Sequence, residues 1–89
     1  MNEKNFMNEN TMKNKRYADV IVEISHEKVD KAFQYIIPDE LSEKVGPGVR
    51  VHVPFGQGNK DLTGYVVELS EEADYPVEKM KEIRCIDEK

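Results

Sequence analysis

Gly48-Val49-Arg50-Val51-His52-Val53-Pro54-Phe55-Gly56 carries the clearest structural pattern in this chain. Val49, Val51, Val53 and Phe55 alternate with Arg50, His52 and Pro54. A period of two belongs to a strand with one face in a core and the other in water. Valine and phenylalanine suit such a pleated, half-buried surface, and Gly46-Pro47-Gly48 just before them punctuates the chain. Past Phe55, Gly56 to Asp61 reads as a polar loop with two glycines. Leu62 to Leu69 then reads as the partner strand, with Tyr65, Val67 and Leu69 sharing a face, so the two segments form a hairpin.

Outward from this hairpin the same logic finds further short elements. Ala18, Val20, Val22 and Ile24 alternate with Asp19 and Glu23, Ile21 being the exception, which predicts a half-buried strand from Tyr17. Ser25 to Lys31 is polar and turn-like. Phe33-Gln34-Tyr35-Ile36-Ile37 is a second, aromatic-rich strand stopped by Pro38, which has no N–H to extend a ladder. Asp39 to Val45 predicts one short helical turn. On the other side, the acidic run Glu71-Glu72-Ala73-Asp74 leads to Tyr75-Pro76, then to a short helix over Val77 to Lys81 and a last strand near Glu82 to Ile86. The expected fold is mainly β: a small OB-like or SH3-like barrel or half-barrel of four to five strands with one or two short helices. Residues 1–16, with five Asn, three Met and a single aromatic, have no periodicity and read as a disordered tail, leaving 17–89 as the domain.

Size and charge narrow the function. A chain of 89 residues has room for one domain, with stability on the order of 4 to 13 kcal/mol and little surplus for a strained catalytic cavity. No apolar run reaches the roughly 20 residues that cross a bilayer, and the Asn-rich start lacks the apolar stretch of a secretory signal. The expected location is the cytoplasm. The net charge is −5, and it is uneven: residues 1–16 hold four Lys/Arg against two acids, and residues 17–89 hold nine against sixteen. A broad basic face that coats nucleic acid is excluded, because such binding rests on releasing many phosphate counterions. Any contact with an anion has to be local.

The usual signatures of NTP hydrolysis, acyl transfer and zinc hydrolysis are missing. His26 and His52 share no metal-ligand spacing, and both read as solvated, His52 facing outward from its strand. The pairs Asp39/Glu40, Glu71/Glu72 and Asp87/Glu88 sit in turns or at the terminus, where nothing desolvates them into catalytic acids. Cys85, the lone cysteine, forms no intrachain disulfide and reads as a half-buried apolar residue. No catalytic residue, metal site or cofactor is expected.

Three stretches then stand in order: Phe33-Gln34-Tyr35-Ile36-Ile37-Pro38, Gly48 to Gly56, and Thr63-Gly64-Tyr65-Val66-Val67. In this order and at these spacings, roughly from Tyr17 to Ile86, the chain resembles the 3′ DNA-binding domain that opens primosomal protein N-prime (PriA), the superfamily 2 helicase that restarts stalled replication forks. The resemblance implies a non-catalytic module whose pocket receives the 3′ end of a DNA strand at a branched, stalled fork and positions a bacterial replication-restart helicase. In that family the domain precedes a winged-helix segment and the helicase lobes. ATP binding and hydrolysis belong to those lobes. The implied partners are the 3′ DNA end, the remaining helicase domains of the same polypeptide and, through them, other primosome proteins and single-stranded DNA-binding protein. No membrane partner is implied.

The pocket implied by the resemblance would be supplied by Phe33, Gln34, Tyr35, Gly56 and Lys81. A terminal nucleotide offers a base face, a base edge, a sugar and a phosphate, so stacking and a few hydrogen bonds can replace a basic groove. Strand alternation sends Phe33 and Tyr35 to one side and Gln34 to the other. The family commonly carries an acid where this chain has Gln34, and an aspartate there is expected to be tolerated if the site needs only an acceptor. Gly56 allows close approach to its backbone. Lys81, in the expected short helix, faces the DNA end, while Lys79 points elsewhere; Arg50 and Lys60 are softer phosphate contacts. Two other readings stay open: a β-barrel whose aromatics dock a peptide, and a structural domain of a larger protein.

Overall fold

Valine alternation builds the sheet. In the computed structural model, which describes residues 15–24 and 31–88, five strands follow one another. They are β1 (Tyr17–Val22), β2 (Ala32–Ile36), β3 (Arg50–Phe55), β4 (Lys60–Ser70) and β5 (Cys85–Ile86). Their order in the sheet is β2-β1-β4-β3-β5, with every neighbouring pair antiparallel. The mainly β architecture expected from sequence is present, and both expected helices are single 3-10 turns, Asp39–Leu41 and Val77–Lys79. Residues 1–14, the turn residues 25–30 and His26 lie outside the described residues.

The inward face is the one that the alternation in β1 and β3 selects. Ala18, Val20, Val22, Val51, Val53, Val66 and Ile83 are almost completely buried and form the centre of the core, with Ile24, Phe33, Leu41, Phe55 and Leu69 packed against it. In β4 Tyr65, Val67 and Leu69 do not share the one face expected of them. Tyr65 and Val67 are exposed, and Gly64 and Val66 point inward. The cause is a bulge: Asp19 pairs with Glu68 but Val20 pairs with Val66, so Val67 has no partner in β1 and the parity of β4 changes there. Leu69, beyond the bulge, turns back toward the core. Gly64 sits where β1 and β4 press closest. A Cβ there would lie 2.6 Å from Val20 Cγ1 and 2.8 Å from the Ile21 carbonyl oxygen.

One segment brings the two edges of the sheet together. Residues 81–83 meet β2, where the Ile36 N–H donates to the Lys81 carbonyl and the Ile83 N–H to the Ile36 carbonyl. Residues 84–87 then run along β3, with the Arg84 N–H on the His52 carbonyl and the Asp87 N–H on the Arg50 carbonyl. Tyr35 adds a tie across the interior, its hydroxyl donating to the Pro54 carbonyl at 2.9 Å. Burial pushes the Tyr35 phenol up to about 12, so it keeps its proton and remains a donor. The result is a small, nearly closed barrel whose seam runs between β2 and residues 75–83.

Candidate functional site

The seam closes at Ile36 and opens beside it. Residues 75–81 run along β2 but bond to its backbone only at its end, and the gap between them is a cavity of about 520 Å³. All five residues singled out from sequence line it: Phe33, Gln34 and Tyr35 from β2, Gly56 from the β3–β4 turn, and Lys81 from the seam. Phe55, Tyr75, Pro76, Lys79, Met80 and Lys31 complete much of the wall. The lining contains three lysines and no carboxylate, in a chain that is acidic overall.

The aromatic side of the cavity is built on packed rings. Phe33 and Phe55 meet edge to face, with ring centroids 5.2 Å apart, and the Lys31 ammonium lies 5.5 Å from the Phe33 centroid. Tyr35 is 4 % exposed and anchored through its hydroxyl, so only part of its ring is left to a ligand. The tip of the hairpin is fixed from two directions. Arg84 donates to the Asn59 carbonyl at 3.0 Å and to Asp61 at 2.9 Å, and the Lys81 ammonium donates to the Gly56 carbonyl. Gly56 has φ +77°, a left-handed backbone that glycine adopts without strain, and nothing lies within 4 Å of the position a Cβ would take. Lys81 stands in extended chain past the 3-10 turn and not in a helix, so the expected helical separation from Lys79 does not apply; both line the cavity. An ammonium has three donors, and Gly56 uses one of them.

Gln34 does something its sequence context did not reveal. It is 8 % exposed, and both ends of its amide are engaged by one loop: Nε2 donates to the Glu72 carbonyl at 3.1 Å, and Oε1 accepts from the Asp74 N–H. It thereby fastens the acidic loop that leads directly into Tyr75 and Pro76. Its strand partner Asp19 is held above the ordinary carboxylate range by burial first, then by Glu68 and Asp74. A neutral amide fits this acid-rich patch where another carboxylate would add repulsion.

A second polar cluster lies along β3. His52 Nε2 is 2.9 Å from Asp87 and Nδ1 is 3.1 Å from Asp61; Arg50 reaches Asp87 at 3.2 Å, Glu23 at 3.3 Å and the Tyr65 hydroxyl at 2.8 Å. His52 faces outward as expected, but it is half-buried and held by these carboxylates. Its pKa is raised, chiefly by the hydrogen bond to Asp87, while Asp87 and Asp61 are held low, Asp87 chiefly by His52 and Asp61 chiefly by Arg84. A lowered carboxylate pKa is the opposite of what general-acid catalysis needs. Arg50, a soft candidate for phosphate contact, is committed to this network. Lys60 is exposed on β4 and lines a separate surface pocket. Cys85 is exposed, not half-buried, because β5 is only two residues long and Ile86 takes the position packed against the core. Among the described residues no cluster of His, Cys, Asp and Glu could hold a metal ion, and no helix is long and apolar enough to cross a membrane.

Tyr75 and Lys79 also line the cavity, and sequence reasoning did not place them there. The signal was present in an exposed-type Tyr-Pro pair followed by basic residues, but only the closure of the seam brings it opposite β2.

The family described as the 3′ DNA-binding domain (3′BD) matches residues 19–89. The chain is also similar to the replication restart protein PriA of Bacillus subtilis (strain 168), 37 % identical over 67 residues. That match covers 75 % of this chain and 8 % of the relative, so the chain corresponds to a small part of that protein's length.

Proposed function

The chain belongs to the 3′ DNA-binding domain family of replication-restart proteins, and from that premise we propose that the cavity at the β2 seam is where the 3′ end of the strand is held. The observation that supports this reading is the convergence of Phe33, Gln34, Tyr35, Gly56 and Lys81 on one cavity lined by lysines and no acid. Each has a distinct part. The Phe33 ring, braced by Phe55, offers a face to the terminal base. Gly56 leaves its backbone open to the sugar. Lys81 keeps donors for the phosphate that links the last two nucleotides, and Gln34 holds the opposite wall in place. Binding of this kind explains how an acidic domain contacts DNA: the charge that matters is confined to one pocket, and stacking supplies the rest.

Within a full-length relative, such a module would direct the helicase domains of the same polypeptide to the 3′ end at a branched fork, in the bacterial cytoplasm, alongside primosome proteins and single-stranded DNA-binding protein. Residues 17–89 would be the folded unit. ATP hydrolysis would belong to the helicase lobes, leaving this domain without enzymatic activity.

The test is a titration with a labelled strand carrying either a 3′ hydroxyl or a 3′ phosphate. The hydroxyl end binds more tightly, because the added phosphate brings bulk and charge into a walled pocket. Equal affinity for the two ends would remove the basis for end recognition.

A further inference from the structure

Two of the aromatic residues on this cavity differ sharply in exposure. Tyr35 is 4 % exposed with its hydroxyl bonded to Pro54, whereas Tyr75 is 52 % exposed on the opposite bank. An exposed tyrosine on a loop is usually free to move, but the backbone that leads into Tyr75 is fastened. Gln34 grips it at the Glu72 carbonyl and at the Asp74 N–H, the residue immediately before Tyr75. Pro76 follows with φ −58°, and the Lys79 N–H bonds to the Pro76 carbonyl. Tyr75 is thus presented on both sides by ordered chain, at the mouth of the cavity, with Lys79 lining the same wall.

We propose that Tyr75 is a second stacking platform, which takes the base of the nucleotide next to the 3′-terminal one. The proposal rests on the end-binding reading above and extends it by one nucleotide. A strand that enters the cavity by its 3′ end places its last base against the sheltered Phe33–Tyr35 side and its penultimate base at the mouth, where the exposed ring stands. Base stacking on an aromatic side chain tolerates every base, because each has a π face. The platform therefore adds affinity and a minimum strand length without adding sequence preference. Lys79 is suitably placed for the phosphate on the 5′ side of that nucleotide. Gln34 is a positioning residue for this subsite: it acts on the ligand through the loop it holds.

The experiment is a cycle of two changes read by fluorescence anisotropy with 3′-hydroxyl single strands. One change is Tyr75→Ala in the protein, with Tyr75→Phe as its control; the other is an abasic site at the penultimate position of the strand. Tyr75→Ala weakens binding of the intact strand by roughly 5- to 150-fold, the range for loss of one stacked base. Tyr75→Phe keeps wild-type affinity, since the ring and not the hydroxyl is used. On the abasic strand wild type and Tyr75→Ala bind alike, because the partner of the ring has been removed. Equal losses on the intact and abasic strands, or no loss on either, overturn the stacking subsite. A parallel titration of wild type with the 3′-phosphate strand separates the two levels. If wild type discriminates the ends and the cycle shows no coupling, the subsite alone fails. If wild type is blind to the 3′ end, the end-binding reading fails and the subsite with it.

Discussion

At the seam cavity, Lys79 and Lys81 carry charges that no described carboxylate neutralises, whereas along β3 the basic groups meet carboxylates: Arg50 with Asp87 and Glu23, His52 with Asp61 and Asp87, Arg84 with Asp61. The two regions contain similar residues and use them differently. Along β3 the ion pairs tie residues 84–87 and Asp61 to their neighbours, so the charge is used within the fold. At the seam the ammonium of Lys81 touches only a carbonyl, and its charge stays available to a ligand. The comparison explains how an acidic domain can bind a polyanion: binding depends on which cations lack acidic partners, and the total charge says little about that.

The largest expected contrast comes from removing one cation in each region. Lys81→Met should weaken 3′-end binding by about 1.5 to 3 kcal/mol, the usual worth of hydrogen bonds to a charged group, and leave the thermal midpoint nearly unchanged. Arg50→Met should do the reverse, lowering the midpoint by freeing Asp87 and Glu23 while affinity for the strand holds. If both variants lose affinity equally, the β3 cluster contacts DNA and the division between the regions is wrong.

Gln34 provides a smaller effect. The structure changes what Gln34→Asp is expected to do. An ionised aspartate is one methylene shorter and cannot donate to the Glu72 carbonyl, and it adds a charge beside Asp19, Glu68 and Asp74. The family acid at this position should therefore cost about 1 kcal/mol of stability here and loosen the loop before Tyr75. A midpoint equal to wild type, measured by thermal melting, would mean that the loop is held by other contacts.

The smallest effect is the pH dependence of the β3 cluster. His52 has a raised pKa in the fold, so its contribution to stability is complete below the unfolded value and is lost as pH rises through the folded one. Asp61 and Asp87 have lowered values, and their contributions are present above the unfolded value and lost as pH falls through the folded one. The cluster is thus strongest between about pH 5 and about 6, where the histidine is charged and the carboxylates are ionised. The thermal midpoint of wild type should decline modestly from about pH 6 to about pH 8, and His52→Gln should flatten that decline. Because these side chains are partly solvated, salt should reduce the difference.

How much of this was legible in the sequence depended on whether a pattern was local. The alternation in β1 and β3 is strictly local, and it identified Val20, Val22, Val51 and Val53 as core correctly. In β4 the same reasoning put Tyr65, Val67 and Leu69 on one face, because a bulge is set by pairing with β1 and leaves no mark in β4 itself. The cavity shows the same division. The aromatic strand, the turn glycine and Lys81 were found through their resemblance to a family. The clasp of Gln34 on residues 72–74, and with it the placement of Tyr75, needs contacts 38 and 40 residues apart in sequence. Likewise the carboxylates that hold His52 come from β4 and from the residue after β5, which its own strand does not announce.

The most direct test of the central claim is to map where the 3′ end lands, by following backbone amide signals of the ¹⁵N-labelled domain as a short strand with a free 3′ hydroxyl is added. The account predicts that the largest shifts fall on Phe33, Gln34, Gly56, Tyr75 and Lys81, around one cavity, while Arg50, His52, Arg84 and Asp87 barely move, and that the pattern fades with a 3′ phosphate. Shifts centred on the β3 cluster, with the seam residues unmoved, would contradict it.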